Sequence, residues 1–193
     1  MTGIQKAIAG AVLALLIIAG GLTAYVAQSV PQAGAAALNA WADVESQFRL
    51  RAELTPQLIN VVRSINDTQA PLIQELSDKQ ADVLALKSDA DIPLSQAKLL
   101  AFWAHQDGLS QALGKIYDFL KYYPDRVRDP DIRAGLEALE QSELRIVQAR
   151  KAYSTRAAAL NSLLTKAPQS WIAARLSPPL RPVLGDIDTI RNN

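Results

Sequence analysis

The 193-residue chain has no cysteine, a single histidine and a single methionine. Without cysteine there can be no disulfide, thiolate zinc site, iron–sulfur cluster or cysteine nucleophile. With His105 alone, no multi-histidine metal centre can be assembled. Since the sole methionine is Met1, a haem held by His and an internal Met is excluded as well. Charge of one sign is also lacking: 20 Lys+Arg stand against 19 Asp+Glu, a net charge of +1. No overall field then draws the chain to nucleic acid. What the sequence does hold is apolar surface, with 49% hydrophobic and 20% charged residues, ordinary for a chain that folds around a core. This census leads to the expectation of a protein that is not an enzyme and carries no cofactor.

The first thirty residues hold a long hydrophobic run. Lys6 is followed by Ala7 to Ala27, all apolar or small apart from Thr23, and no charge appears again before Asp43. A helix over residues 7–27 reaches roughly 30 Å, the hydrocarbon thickness of a bilayer. The competing reading is a cleaved signal peptide with Ala33 and Ala35 at the cut. Its apolar region is normally only about 7–15 residues, and Pro31 lies close to the cleavage point. An uncleaved anchor contacting lipid through 7–27 is the expectation. Lys6 and the α-amine precede the span and no Lys or Arg lies between Gln28 and Phe48, so the N-terminus reads as cytoplasmic and the main domain as extracytoplasmic. The organisation expected is an anchor at 1–30, a helical domain at 31–176 and a Pro-containing irregular tail at 177–193.

Beyond the anchor, apolar positions step by three and four, which marks amphipathic helices. Trp41, Val44, Phe48, Arg51, Thr55, Leu58, Val62 and Ile65 form one stripe. Ile73, Leu76, Val83 and Leu84 form a shorter second. A third runs Leu99, Phe102, Gln106, Leu109, Leu113, Ile116, Leu120 and Tyr123. The longest runs Ile132, Leu136, Leu139, Glu143, Ile146, Arg150, Tyr153, Ala157, Leu160 and Leu164. Such stripes predict an all-α fold: a transmembrane helix followed by an antiparallel up-down four-helix bundle. Breaks fall at Thr68–Pro71, Ser88–Pro93 and Tyr123–Pro130, where Asp129 can cap the next helix and Pro130 occupies its first turn. Pro168 is expected to begin a short C-terminal helix through Leu176, ended by Pro178, Pro179 and Pro182. The first helix is expected to leave the anchor with an interruption at Pro31 to Gly34. At Pro56 one long kinked helix or a cap is open, and the continuous stripe favours the helix.

Few residues suggest chemistry. His105 has Asp107 two positions away, which a helix points elsewhere, so a structural histidine is expected. Asp78 with Asp82, and Glu137 with Glu140, share helix faces, yet no Glu-x-x-His partner exists to complete a carboxylate metal site. Trp41, Trp103 and Trp171 lack interleaved basic residues and read as core or membrane-proximal aromatics. The informative residues are Arg51, Glu143 and Arg150, charges placed where apolar side chains would pack. A buried charge needs a partner, so Glu143 is expected to meet Arg51 or Arg150 across the first and fourth bundle helices. The alternative is that both arginines snorkel to solvent along their apolar stems. Small residues in the span, Gly10, Gly20 and Gly21 among them, permit close helix approach and self-association.

Two stretches carry a family resemblance. Asn39 to Arg63, with Trp41, basic Arg49 and Arg51, and the Leu54-Thr-Pro56-Gln-Leu58 run, resembles the opening signature of the LemA family, which follows an N-terminal transmembrane helix. Glu143 to Tyr153 and Asn161 to Ala173 resemble its second signature, with Tyr153, Asn161 and Pro168 at motif positions. Tyr123-Pro124 is similar to the family's turn before the last long helix. Leu50 separates basic residues that are usually adjacent, Tyr153 is followed by Ser154 where the family has Asn, and the chain is identified as a divergent member. The resemblance implies a membrane-anchored helical bundle with no enzyme activity or cofactor. One branch, the magnetosome protein MamQ, is associated with shaping internal membranes. The small-residue anchor and the full set of amphipathic helices lead to the expectation of a self-associating scaffold of the bacterial cytoplasmic membrane, a homo-oligomer that can support other membrane proteins. A helical ligand-binding sensor or adaptor acting through a partner is the rival.

Overall fold

The computed structural model describes residues 3–65, 69–165, 170 and 172. Helix α1 spans Gly3–Ile65, α2 Ala70–Ala85, α3 Gln96–Leu120, α4 Pro124–Val127 and α5 Pro130–Thr165, with a 3-10 turn at Ile92–Leu94. Among the described residues there is no strand. The expected short helix beginning at Pro168 and the tail at 177–193 lie outside the described residues, apart from helical Ser170 and Ile172.

Contacts fix the directions of the helices. On α1 and α5, Arg51 meets Glu143 and Trp41 meets Tyr153, so the two run antiparallel. Ala52 of α1 meets Gln80 of α2, and Glu45 of α1 meets Ser88 just past the end of α2, so these two helices are again antiparallel. On α2 and α3, Glu75 meets Lys115, and Gly108 sits beside Lys79. The bundle is therefore an up-down array of the C-terminal half of α1 with α2, α3 and α5. The stripes read from sequence face inward: Trp41, Val44, Phe48, Leu58 and Val62 of α1 are buried, as are Leu99, Phe102, Leu109, Leu113 and Ile116 of α3.

One expectation fails. No interruption occurs at Pro31 to Gly34; α1 is helical from Gly3 to Ile65 through both Pro31 and Pro56. A proline inside a helix removes one backbone hydrogen bond and costs about 3 kcal/mol. Both proline rings are exposed, and Leu160, Leu163 and Leu164 of α5 pack with buried Val26 and Val30 and half-buried Ala33 on either side of Pro31. That packing outweighs the lost bond. At Pro56 the loss is repaired directly. The missing N–H would have bonded the Ala52 carbonyl, and Gln80 Nε2 of α2 donates to that oxygen at 2.9 Å.

The caps follow the sequence. Asp129 Oδ1 accepts from the Asp131 N–H at 3.0 Å, and the Asp129 carbonyl accepts from the Arg133 N–H at 2.9 Å. Ser95 Oγ accepts from the Lys98 N–H and opens α3. The segment Tyr123–Pro130, expected to be only a break, contains the single turn α4, because Pro124 fixes a helical φ at its start.

Candidate functional site

Two arrangements stand out: an exposed apolar helix continuous with the bundle, and a buried arginine layer inside it. From Ile8 to Tyr25 almost every described side chain is exposed, with Leu15, Leu16, Ile17 and Ile18 each 64–66% open. This part of α1 is long and apolar enough to cross a membrane. Water does not tolerate so large a contiguous apolar surface, whereas hydrocarbon does. Exposed Tyr25 closes the run, where an aromatic with one polar end suits the membrane–water boundary. The next residue, Val26, is fully buried, packed with Val30 against Leu160 of α5. Between this point and Trp41 the two helices α1 and α5 form a narrow neck with small residues at the contact: Ala37, Ala40 and Ala157 are buried.

Above the neck lies an aromatic cluster. Trp41 meets Phe102 and Tyr153 edge-on at 5.2 and 5.3 Å, while Phe48 meets Phe102 and Trp103 at 5.6 and 5.4 Å. Such contacts add to area burial because a positive ring edge meets a negative face. Farther along, Leu58, Val62, Leu76, Leu109, Leu113, Ile116 and Leu139 make an aliphatic cluster.

Between the clusters sits Arg51, only 2% exposed. Its Nη1 donates to Ser110 Oγ at 2.9 Å and to Glu143 Oε1 at 3.0 Å. Its Nη2 donates to the Gln106 carbonyl at 3.2 Å and to Gln106 Oε1 at 3.1 Å. The guanidinium also lies 5.1 Å from the centre of the Phe48 ring, and only Nε is buried without a partner. The sequence placed Glu143 against Arg51 or Arg150, and the structure selects Arg51. Arg150 instead lies over the Trp103 ring at 4.8 Å. Glu143 is 46% exposed, so water reaches one partner of the pair but not the other. Burial pushes the neighbouring Tyr117 hydroxyl above its ordinary pKa, and the Glu143 carboxylate adds to this while Arg51 opposes it. Arg51 thus ties α1, α3 and α5 at one height. A one-turn slip of any of them would strand a buried charge.

The other expected positions are spread along the bundle. Leu54 packs on the aliphatic cluster, Tyr123 lies against Phe119 at 4.9 Å, and Pro124 starts α4. Asn161 is half-buried on α5 near the neck, and Pro168 lies outside the described residues. His105 is half-exposed. Asp78 accepts from Gln74, Asp82 pairs with Lys79 and Glu137 with Arg133, all along their own helices. Among the described residues no group of three or more His, Asp or Glu converges as metal ligands would. Sequence reasoning missed Ser110 and Gln80. Ser110 follows Gln106 by one turn and was findable, whereas Gln80 acts on a carbonyl that only Pro56 of another helix sets free.

A family model described as the LemA family matches residues 40–181. The chain belongs to the LemA family. A comparison with curated proteins gives no match. The LemA segment begins at the top of the neck, one residue before Trp41, and takes in the whole bundle. Its two motif stretches meet in space through the Trp41–Tyr153 ring contact and the Arg51–Glu143 ion pair.

Proposed function

We propose that this LemA protein is a non-enzymatic, membrane-anchored scaffold of the bacterial cell envelope, self-associating beside the bilayer and supporting or shaping what assembles there. Its bundle stands on the extracytoplasmic face of the cytoplasmic membrane, the orientation favoured by Lys6 before the span. The observation that carries this reading is α1 itself. One unbroken helix runs from an exposed apolar span into a bundle whose buried Arg51 has both terminal nitrogens held by internal partners. A rigid stem of this kind transmits position and spacing. The span also carries Gly10, Gly20 and Gly21, each with open space where a Cβ would be, which lets backbones of neighbouring copies approach closely.

The test is the mass of the full-length protein in mild detergent, beside a variant with Gly10→Leu, Gly20→Leu and Gly21→Leu. A defined oligomer that the variant loses supports a scaffold assembled through the span. A monomer in both contradicts it.

A further inference from the structure

The near-zero net charge hides a strong separation along the molecule. Between Glu143 and the end of α5 the helix carries Arg145, Arg150, Lys151 and Arg156 and no acidic residue, and the next acid in the sequence is Asp186. By the pairings of Arg51 with Glu143 and of Trp41 with Tyr153, residues 152–165 of α5 face residues 29–42 of α1, which have no charge at all, whereas Arg145, Arg150 and Lys151 stand at the height of Asp43 to Arg49. The nearest acids on the other elements, Asp43, Glu45, Asp89 and Asp91, lie above the neck, since Ser88 and Asp89 contact Glu45. Two of the local charges there are also spoken for: Lys98 bridges Asp89 and Asp91. Lys151 and Arg156 are exposed and form no ion pair among the described residues.

Distance decides which of these charges matters. The pairings of Arg51 with Glu143 and of Trp41 with Tyr153 place Arg156 opposite the α1 backbone near position 38. At 1.5 Å per residue that is roughly 15–20 Å beyond the end of the apolar run at Tyr25. Headgroups occupy roughly 5–8 Å of that gap, which leaves Arg156 about a Debye length from them before its own side chain reaches down. Lys151 stands more than a turn higher and Arg145 higher still.

We propose that the acid-free neck is a contact surface for anionic phospholipid headgroups of the bilayer that holds the anchor, with Arg156 as its principal residue among those described. The inference rests on residues 8–25 being the membrane anchor. A basic residue close to an anionic surface enriches such lipids about fivefold, and screening over a Debye length reduces this to roughly twofold. The lipid charge then holds the neck upright over the membrane without any new protein contact.

The full-length protein, reconstituted in phosphatidylcholine vesicles containing a minority of phosphatidylglycerol, tests this with spin-labelled forms of the two lipids. The expected result is roughly twofold selectivity for phosphatidylglycerol at low salt, abolished at high salt. Arg156→Gln removes most of it, Lys151→Gln removes less, Arg145→Gln leaves it unchanged, and Arg156→Lys retains it. The three positions are exposed, so all four variants fold, which circular dichroism verifies. Equal effects of the three Gln variants, or selectivity that survives Arg156→Gln, overturn the proposal. Wild-type protein that enters the vesicles yet shows no selectivity overturns it while leaving the anchor reading intact. Protein that never enters them overturns both.

Discussion

Replacing Glu143 with Ala separates the ion pair from everything else in the bundle. Arg51 is 2% exposed while Glu143 is 46% exposed, so the substitution takes from a buried cation the carboxylate that pairs with it. Breaking a fully buried pair costs about 3–5 kcal/mol, whereas an exposed pair contributes about 0–1. Glu143 lies between these limits. Ser110 Oγ and both Gln106 oxygens remain to solvate the guanidinium, and water can enter where the carboxylate stood. A loss of about 1.5–2.5 kcal/mol follows from these bounds. In the Arg51→Met background the same Glu143→Ala change removes a half-solvated carboxylate that has nothing to pair with, so its cost falls to about 0–0.5 kcal/mol. The expected coupling between the two sites is about 1–2.5 kcal/mol. Urea unfolding of the full-length protein in mild detergent, followed by circular dichroism, measures all four corners of the cycle. Additive effects of the two substitutions would refute the claim that Arg51 depends on Glu143. Arg51→Met alone is expected to be mild, because an apolar side chain of similar length fills the space between Phe48 and the aliphatic cluster.

Gln80→Leu removes the donor that satisfies the Ala52 carbonyl below Pro56 and is expected to cost about 1–2 kcal/mol. In a Pro56→Ala background the restored backbone N–H makes Gln80 dispensable, so the cost there drops to near zero; unchanged cost would show that Gln80 acts elsewhere. At the α2–α3 turn the hydrogen bond from Lys98 lowers the pKa of Asp89, and the same bond raises that of Lys98. The stabilisation from Asp89 is therefore present above its unfolded value and fades as pH falls through its lowered folded value. That from Lys98 is present below its unfolded value and fades as pH rises through its raised one. Lys98→Met should move Asp89 up toward the ordinary carboxylate range, with the Asp91 N–H bond still lowering it, as a carboxyl NMR titration would report; an unmoved midpoint contradicts the assignment.

The helices, the bundle and the Arg51–Glu143 contact were legible because each rests on periodicity: a charged residue inside an apolar stripe has to be answered by another stripe. Arg150 sat in the same stripe and could not be told from Arg51, since nothing in the sequence shows that Trp103 of α3 lies at its height. The continuity of α1 was not legible at Pro31. Local propensity argues for a break, and the burial of Val26 and Val30 by Leu160 that overrides it is a contact between residues some 130 positions apart. The charge separation was hidden for the opposite reason. Its parts are plain in the sequence, but only the antiparallel pairing of α1 with α5 brings the acid-free half of α5 down to the anchor.

The exposed apolar span and the bundle stem are one helix. Because the chain is free of cysteine, single cysteines introduced one at a time along residues 8–40 can each carry a nitroxide. In vesicles, oxygen accessibility should be high on every face from position 8 to 25. From Val26 onward protection should recur at Val30, Ala37 and Trp41, with the helical phase unbroken through Pro31. A jump in phase at Pro31, or positions between 8 and 25 that meet a water-soluble relaxant rather than oxygen, would contradict the account.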